Sequence, residues 1–111
     1  MVPENQYRVY IISLKKTVLN EKKFRDANPD YVDGKPCVYV GSTAKPVNER
    51  FSEHMEGVQY RSSRWVKKYG RRLFESEMRG LRPRRSRESI LRKEREVAEG
   101  LRLRGWAVWW N

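Results

Sequence analysis

The chain has 111 residues, the usual size of one domain and too short for two separate hydrophobic cores. Apolar residues make up 38% and aromatic residues 12%, which excludes a disordered tail even though 35% of the residues are charged. Lysine and arginine number 25 against 14 acidic residues, and the net charge of +11 indicates a polyanionic partner, most commonly nucleic acid.

The composition also limits metal and membrane binding. Because Cys37 and His54 are the single cysteine and histidine, an internal disulfide and a Cys/His zinc cluster are excluded. A metal would be held by carboxylates, water and substrate phosphate, a ligand set that suits Mg²⁺ or Mn²⁺. No stretch approaches the roughly 18 to 20 apolar residues of a spanning helix. The N-terminus has no signal pattern, so we expect a cytoplasmic protein that does not contact membranes.

Two apolar segments predict a pair of strands. Residues 7–14 (YRVYIISL) are apolar on both parities, which is typical of a central strand. Residues 37–40 form the second candidate strand, which Gly41-Ser42-Thr43 ends. We expect the two strands to pair antiparallel through an unusually long polar loop over residues 15–36. A short helix over residues 18–24 is the alternative for part of that loop.

The next segment predicts two helices. Pro46 suits the first turn of the first helix. Its apolar residues recur at helical spacing and are Val47, Phe51, Met55 and Val58. Ser62-Ser63 can cap the second, shorter helix, and Gly70 suits the position just after its end. The apolar residues of this second helix are Trp65, Val66 and Tyr69.

Three further elements complete the predicted fold. Residues 73–78 read as a third strand, in which Phe74 and Met78 share a face. A long helix is expected from about residue 86 to residue 104, closed by Gly105. Residues 106–110 end the chain as a short extended segment. The whole chain is therefore predicted to be one α+β domain, with a small antiparallel sheet of about three strands flanked by helices.

The long helix contains one anomalous residue. Its inner face is apolar, and Glu94 lies in that face, four residues after Ile90 and three before Val97. A carboxylate there is costly unless it is paired, protonated or bound to a metal. A buried ion pair with one of the many basic residues is the alternative to a metal site, and the spacing alone leaves both open.

Four other residues carry weaker signals. Arg50 and His54 are four residues apart, so they meet on one helix face and could supply a cation and a proton-transfer group for phosphodiester hydrolysis. A surface arginine beside a boundary histidine is the commoner meaning of such a pair. Tyr10 and Tyr39 lie on the two paired strands, where a phenol could hold a water molecule, although strand tyrosines more often pack in the core.

The order of these residues is more specific than any of them: Val9-Tyr10-Ile11, Tyr39-Val40-Gly41-Ser42-Thr43, Arg50 and His54, Glu94, and Asn111. In this order the chain resembles the GIY-YIG nuclease family over essentially its whole length. Two departures stand out. Arg8 replaces the first glycine of the GIY triplet, and 28 residues separate Tyr10 from Tyr39, whereas the family's hairpin is far shorter. We interpret the 15–36 segment as an inserted loop, since insertion at a hairpin tip costs little.

The resemblance implies roles for the tyrosines and for the Arg50–His54 pair. Tyr10 would act as general base or position the attacking water, with Tyr39 beside it in a hydrogen-bond network. Arg50 would stabilise charge on the scissile phosphate. His54 would assist proton transfer or phosphate binding.

The resemblance also implies three supporting roles. Glu94 would hold a single divalent cation, Mg²⁺ or Mn²⁺, which could polarise the phosphate. Asn111 would support the site by hydrogen bonding. Lys45 is the candidate for a lysine that often assists this family's site near the second tyrosine, and an ordinary loop lysine is an equal alternative.

Basic residues concentrate in two stretches. The first contains Arg61, Arg64, Lys67, Lys68, Arg71 and Arg72. The second contains Arg79, Arg82, Arg84, Arg85 and Arg87. Such clusters bind phosphates with strong salt dependence and carry no sequence code. A solubilising surface is the alternative, but a balanced mix of charges would serve that purpose better.

Together these features predict a divalent-metal-dependent endonuclease that acts on nucleic acid as a monomer or homodimer, with DNA preferred on family grounds alone. The main alternative is a non-catalytic basic module that binds DNA or RNA. The two differ at Glu94, because a binding module has no need for a carboxylate facing its site. A degenerate member of the family without turnover is a third possibility, against which the complete residue set argues.

Overall fold

The computed structural model describes residues 6–57 and 63–110. Its strands are β1 (Arg8–Leu14), β2 (Cys37–Thr43), β3 (Gly70–Leu73) and β4 (Ala107–Trp110). Its α-helices are α1 (Lys22–Asp26), α2 (Val47–Glu56), α3 (Arg64–Tyr69), α4 (Glu75–Met78) and α5 (Arg87–Leu103), and a 3₁₀ helix spans Lys16–Asn20. Four residues named above lie outside the described residues: Val58, Arg61, Ser62 and Asn111.

The four strands form one mixed sheet in the order β3-β1-β2-β4. β1 pairs antiparallel with both β2 and β3, whereas β4 lies parallel to β2. The predicted α+β fold and the antiparallel β1–β2 pair are thus confirmed. The sheet has one strand more than the three or so expected, because the final extended segment joins it parallel to β2. α5 carries the chain back across the sheet before β4 begins, and such a crossover makes parallel pairing possible.

The third strand lies earlier in the chain than predicted. β3 covers Gly70–Leu73, and Glu75–Met78 instead forms the short helix α4. Phe74 and Met78 are four residues apart, a spacing that puts two residues on one face of either a strand or a helix. The pattern therefore could not separate the two structures, and pairing with β1 decided between them.

β1 is the central strand of the fold, as its double apolar pattern predicted. One face of the sheet packs against the 3₁₀ helix, α1, α2 and α3, and its fully or largely buried residues include Tyr10, Ile12, Phe24, Tyr39, Trp65 and Val66. The opposite face packs against α5, with Val9, Ile11, Val38, Val40, Ile90, Ala98 and Leu101. Both side-chain parities of β1 are buried because helices cover the sheet on both faces.

The connection between β1 and β2 is folded and forms part of the core. It contains the 3₁₀ helix and α1, so the alternative of a short helix in this region describes it better than an open loop. Val18 and Phe24 are both fully buried. The Phe24 ring lies 5.3 Å from that of Trp65 and 6.1 Å from that of Trp109, measured between centroids.

Asn28 fastens this connection to the outer edge of β4. Its Oδ1 accepts hydrogen bonds from the Val108 N–H at 2.7 Å and from Arg102 Nε at 3.0 Å, and its Nδ2 donates to the Phe24 carbonyl at 2.9 Å. Arg102 also donates to the Val108 carbonyl at 2.8 Å. Both main-chain groups of Val108 are therefore satisfied by side chains, which closes an otherwise open strand edge.

Capping residues predicted from the sequence mark the start of α3 and both ends of α5. Ser86 Oγ accepts from the Ser89 N–H at the start of α5, and Gly105 follows the helix with a φ of +87°. Ser63 caps α3 through its side chain. Gly70 ends α3 with a φ of −62°, so the left-handed turn expected there does not form. Within residues 6–57 and 63–110, no helix is long and apolar enough to cross a membrane.

We expect Asn28→Ala to lower the free energy of unfolding by about 2–3 kcal/mol, because it leaves the buried Val108 N–H without an acceptor. Urea unfolding followed by tryptophan fluorescence measures the change. Asn48→Ala, at an exposed position in α2, is the matched control and should change stability by less than about 0.5 kcal/mol. Equal effects of the two substitutions would contradict this role for Asn28.

Candidate active site

A cleft of about 830 Å³ opens where β2 ends. Residues from β1, β2, β4, α1, α2, α3 and α5 line it, together with the loop after β2 and the residue that caps α3. The lining residues are Tyr10, Lys23, Tyr39, Gly41, Ser42, Thr43, Ala44, Lys45, Arg50, Glu53, Ser63, Arg64, Trp65, Arg87, Leu91, Glu94 and Trp109. Four predicted catalytic residues, Tyr10, Tyr39, Arg50 and Glu94, thus reach one cleft although they span most of the sequence.

The β1–β2 register brings the two tyrosines together. Tyr10 pairs with Gly41 and Tyr39 pairs with Ile12, so the tyrosines are diagonal neighbours on one face of the sheet. Their ring centroids are 6.3 Å apart. A Cβ atom at position 41 would overlap the Tyr10 ring, which explains the glycine two residues after Tyr39. The long connection between the strands does not prevent this pairing.

His54 is fully buried and forms a hydrogen bond with Tyr10 on the side away from the cleft opening. The Ser63 N–H donates to His54 Nδ1 at 2.9 Å, so Nδ1 carries no proton. Burial lowers the pKa of His54 to about 4, and the ring is therefore neutral near pH 7, with its proton on Nε2. Nε2 lies 2.7 Å from Tyr10 Oη and must donate to it. In this tautomer His54 cannot accept a proton from Tyr10.

Tyr10 is a neutral phenol in this environment. Burial raises its pKa above the usual range, and the neighbouring Tyr39 raises it further. The Arg50 guanidinium opposes this shift through its charge and a hydrogen bond to Tyr10. Because the Tyr10 oxygen accepts from His54, its own proton is directed elsewhere. Two donors thus fix the position of the Tyr10 oxygen at the cleft.

Glu53 forms ion pairs with two cations, one on α2 and one in the loop that precedes α2. Arg50 donates to Glu53 Oε1 at 3.1 Å, and Lys45 Nζ lies 2.5 Å from Glu53 Oε2. Hydrogen bonding to Lys45 lowers the pKa of Glu53, followed by that to Arg50, so the carboxyl stays ionised. The side chains of Arg50 and Glu53 are only 15% and 14% exposed. Arg50 is therefore held in a fixed position on one wall of the cleft, and Lys45, whose side chain is 45% exposed, pairs with the same carboxyl.

Glu94 has the burial that its place in the helical pattern predicted. Its side chain lies on the inner face of α5 with Ile90, Ala98 and Leu101, and the residue is 5% exposed. Burial raises the pKa of its carboxyl to about 7, opposed by a hydrogen bond from Ser42 Oγ at 3.5 Å and by the charge of Arg87. No basic side chain of the described residues comes within 4 Å of it. The alternative of a close buried ion pair therefore does not hold there.

The residues around Glu94 fit a divalent cation of the Mg²⁺ type. A buried carboxylate beside a cleft, without a close cationic partner in residues 6–57 and 63–110, would be stabilised by a bound cation. Those residues contain no group of three Asp, Glu, His or Cys side chains that could hold a metal. Mg²⁺ does not require such a group, since it commonly binds through one or two carboxylates, water and substrate phosphates.

The predicted basic surface is divided among several places. Lys45 and Arg64 line the cleft, whereas Arg71 and Arg72 line a separate groove beside β3. Lys67 and Lys68 are exposed on α3, and Lys68 lies 3.4 Å from Glu21. Arg84 and Arg85 are also exposed. They lie in the loop where the main chain of Arg84 forms hydrogen bonds with that of Tyr7. Arg61 and Asn111 lie outside the described residues.

Several cleft residues were not predicted from the sequence. The contact of Glu53 with Arg50 could have been predicted, since the two residues are three apart and such pairs are neighbours on a helix. Lys23 and Trp109 had no such signal, because only the packing of distant segments brings them to the cleft, whereas Arg87 belongs to the second predicted basic stretch. Lys23 Nζ lies 5.7 Å from the centre of the Trp109 ring.

Comparison of the chain with protein-family models, with curated proteins and with solved structures finds no match.

The shifted pKa values of Glu94 and His54 act on stability in opposite directions. The folded pKa of Glu94, about 7, lies above its ordinary value of 4.5, so stability falls as the pH rises from about 4.5 to 7. The folded pKa of His54, about 4, lies below its ordinary value of 6.5, so stability rises from about pH 4 to 6.5. The two effects largely cancel between pH 4.5 and 6.5.

We therefore expect Glu94→Gln to expose the His54 effect. In this variant the free energy of unfolding should rise by about 2–3 kcal/mol between pH 4.5 and 6.5, whereas the unaltered protein should show a nearly flat profile. Urea unfolding at a series of pH values measures both. Glu96→Gln removes an exposed carboxylate from the same helix and should leave the flat profile unchanged. A Glu94→Gln profile as flat as that of the control would refute the opposing effects of Glu94 and His54 on stability.

Proposed function

We propose that this protein is a divalent-metal-dependent endonuclease of the GIY-YIG type that hydrolyses phosphodiester bonds in nucleic acid. The observation that supports it most is the meeting of Tyr10, Tyr39, Arg50 and Glu94 at one cleft, with His54 beneath Tyr10. Family resemblance favours DNA over RNA, and the protein would act as a monomer or a homodimer. A cytoplasmic location stays a prediction from the sequence.

The chain's own residues divide the proposed reaction among them. Arg50 binds the scissile phosphate and stabilises the charge that develops on it. Tyr10 positions the attacking water, and the His54 N–H and Arg50 would stabilise a phenolate if Tyr10 took part as a base. His54 thus acts by positioning Tyr10, because its ring is buried away from the substrate. Tyr39 packs beside both rings and maintains their arrangement.

Glu94 is the residue that would hold the divalent cation. A bound Mg²⁺ or Mn²⁺ supplies charge stabilisation to the phosphate and the leaving oxygen. The carboxylate would be kept ionised by that cation, which offsets the effect of burial on its pKa. Ser42 orients the carboxylate by donating a hydrogen bond from its hydroxyl.

The nuclease proposal predicts metal-dependent nicking of supercoiled plasmid. We expect the protein to convert supercoiled to open-circular DNA with Mg²⁺ or Mn²⁺, and EDTA to abolish this conversion. Glu94→Gln should slow nicking by about a hundredfold or more, since it removes the cation's ligand. Agarose-gel time courses measure the rates.

The matched control for nicking is Glu96→Gln, which changes the same net charge at an exposed position of α5. It should nick at the rate of the unaltered protein. If the unaltered protein and Glu94→Gln both bind plasmid without nicking it, the nuclease proposal fails and a non-catalytic binding module replaces it. Circular dichroism verifies that each variant is folded.

Glu53 gives a separate prediction about the wall formed with Lys45 and Arg50. Glu53→Gln removes negative charge where phosphate would bind, so duplex affinity should rise about three- to tenfold. The rate of nicking at saturating DNA should fall about tenfold, because Arg50 loses the carboxylate that orients it. Glu56→Gln, exposed on the same helix, is the control. Parallel changes in Glu53→Gln and Glu56→Gln would show that charge alone is responsible.

A further inference from the structure

A second groove, of about 790 Å³, lies at the opposite end of the β1–β2 pair from the cleft. The cleft is lined by Gly41, Ser42 and Thr43 at the end of β2, whereas this groove is lined by Leu14 at the end of β1 and Cys37 at the start of β2. The edge strand β3 and the start of α4 form its other side. The two concavities are therefore separate sites.

The groove carries a strong excess of positive charge. Among the described residues that line it, the basic ones are Lys16, Arg71, Arg72 and Arg79, and the acidic one is Glu75. Within the described residues, no carboxylate lies within 4 Å of Arg71, Arg72 or Arg79. Lys16 donates hydrogen bonds to Tyr31 Oη and to the Lys35 carbonyl, which fixes its ammonium without neutralising it. Guanidinium groups without carboxylate partners in a concave surface are suited to phosphate oxygens.

The helix α2 separates the groove from the cleft and contributes to both. Its residues Arg50 and Glu53 line the cleft, whereas Asn48 and Phe51 line the groove. A polyanion bound in both places would therefore cross α2. Because the two strands of a duplex present two separate rows of phosphates, a duplex can occupy two concavities that flank one helix.

We propose that this groove is a second phosphate-binding site and that the substrate is a duplex held on both sides of α2. One strand places its scissile phosphate in the cleft, and the backbone of the other strand contacts Arg71, Arg72 and Arg79. This inference rests on the proposed nucleic-acid substrate but not on cleavage. The contacts are to phosphates, so they fix the position of the duplex and do not read its sequence.

Binding of a 20-base-pair duplex and of its single strand, measured by fluorescence anisotropy over a series of salt concentrations, tests the proposal. All proteins carry Glu94→Gln, so that cleavage does not interfere. The groove variant is Arg71→Gln with Arg72→Gln. The control is Arg92→Gln with Arg95→Gln, which removes two exposed charges from α5, outside both concavities.

The groove variant should bind the duplex about tenfold more weakly than the control, and its slope of log K against log salt should be smaller by about 2. Single-strand affinity should match that of the control. Equal duplex affinity in groove variant and control, or equal losses for duplex and single strand, would overturn the proposal. Loss of binding to phosphatidylserine vesicles with duplex binding unchanged would also overturn it, in favour of a membrane surface.

The outcome is independent of the plasmid test of the nuclease. If the protein does not nick plasmid but the groove variant loses duplex affinity, the second site stands and the catalytic proposal falls. If nicking occurs and the groove variant binds the duplex like the control, the catalytic proposal stands and the second site falls.

Arg79→Gln, tested alone, provides a milder variant if the double substitution lowers the melting temperature.

Discussion

The hydrogen bond between His54 Nε2 and Tyr10 Oη, 2.7 Å long, joins the central strand to α2 beneath the cleft. The Ser63 amide occupies the other ring nitrogen and so ties the start of α3 to the same imidazole. Because both nitrogens are satisfied, the ring can be buried in its neutral form at little cost. A proton on Nδ1 would repel the Ser63 N–H. This contact therefore fixes the tautomer of His54 as well as the position of its ring. The orientation of Tyr10 follows from this arrangement.

The cleft combines groups whose charges are controlled in different ways. Arg50 and Lys45 are held by Glu53, whereas Glu94 is buried against an apolar helix face and has a raised pKa. An ion-paired wall thus faces a carboxylate that lacks a close cation among the described residues. Ionisation of the Glu94 carboxyl is costly before a ligand binds, because no close cation compensates for its desolvation. This is the physical basis for proposing a cation and a phosphate as its ligands.

The positive charge of the chain is distributed by the fold into two concavities on either side of α2, in addition to exposed residues elsewhere. A net charge of +11 could have formed one continuous patch, but β3 carries Arg71 and Arg72 to the second groove, away from the cleft that Arg50 lines. The charge distribution, rather than its total, is what favours a duplex over a single strand in our proposal.

The elements with strong periodicity could be predicted from the sequence: the strand β1, its pairing with β2, the helix α5 and the burial of Glu94. Those features depend on local patterns of apolar residues and on caps such as Ser86 and Gly105. Only the packing between distant segments makes residues 107–110 a parallel fourth strand, turns Glu75–Met78 into a helix rather than a strand, and brings Lys23 and Trp109 to the cleft. It also decided which nitrogen of His54 carries the proton, because the Ser63 amide that fixes the tautomer is supplied by a separate segment. Contacts between segments distant in the chain leave no periodic signal, and only the packed sheet brings them together.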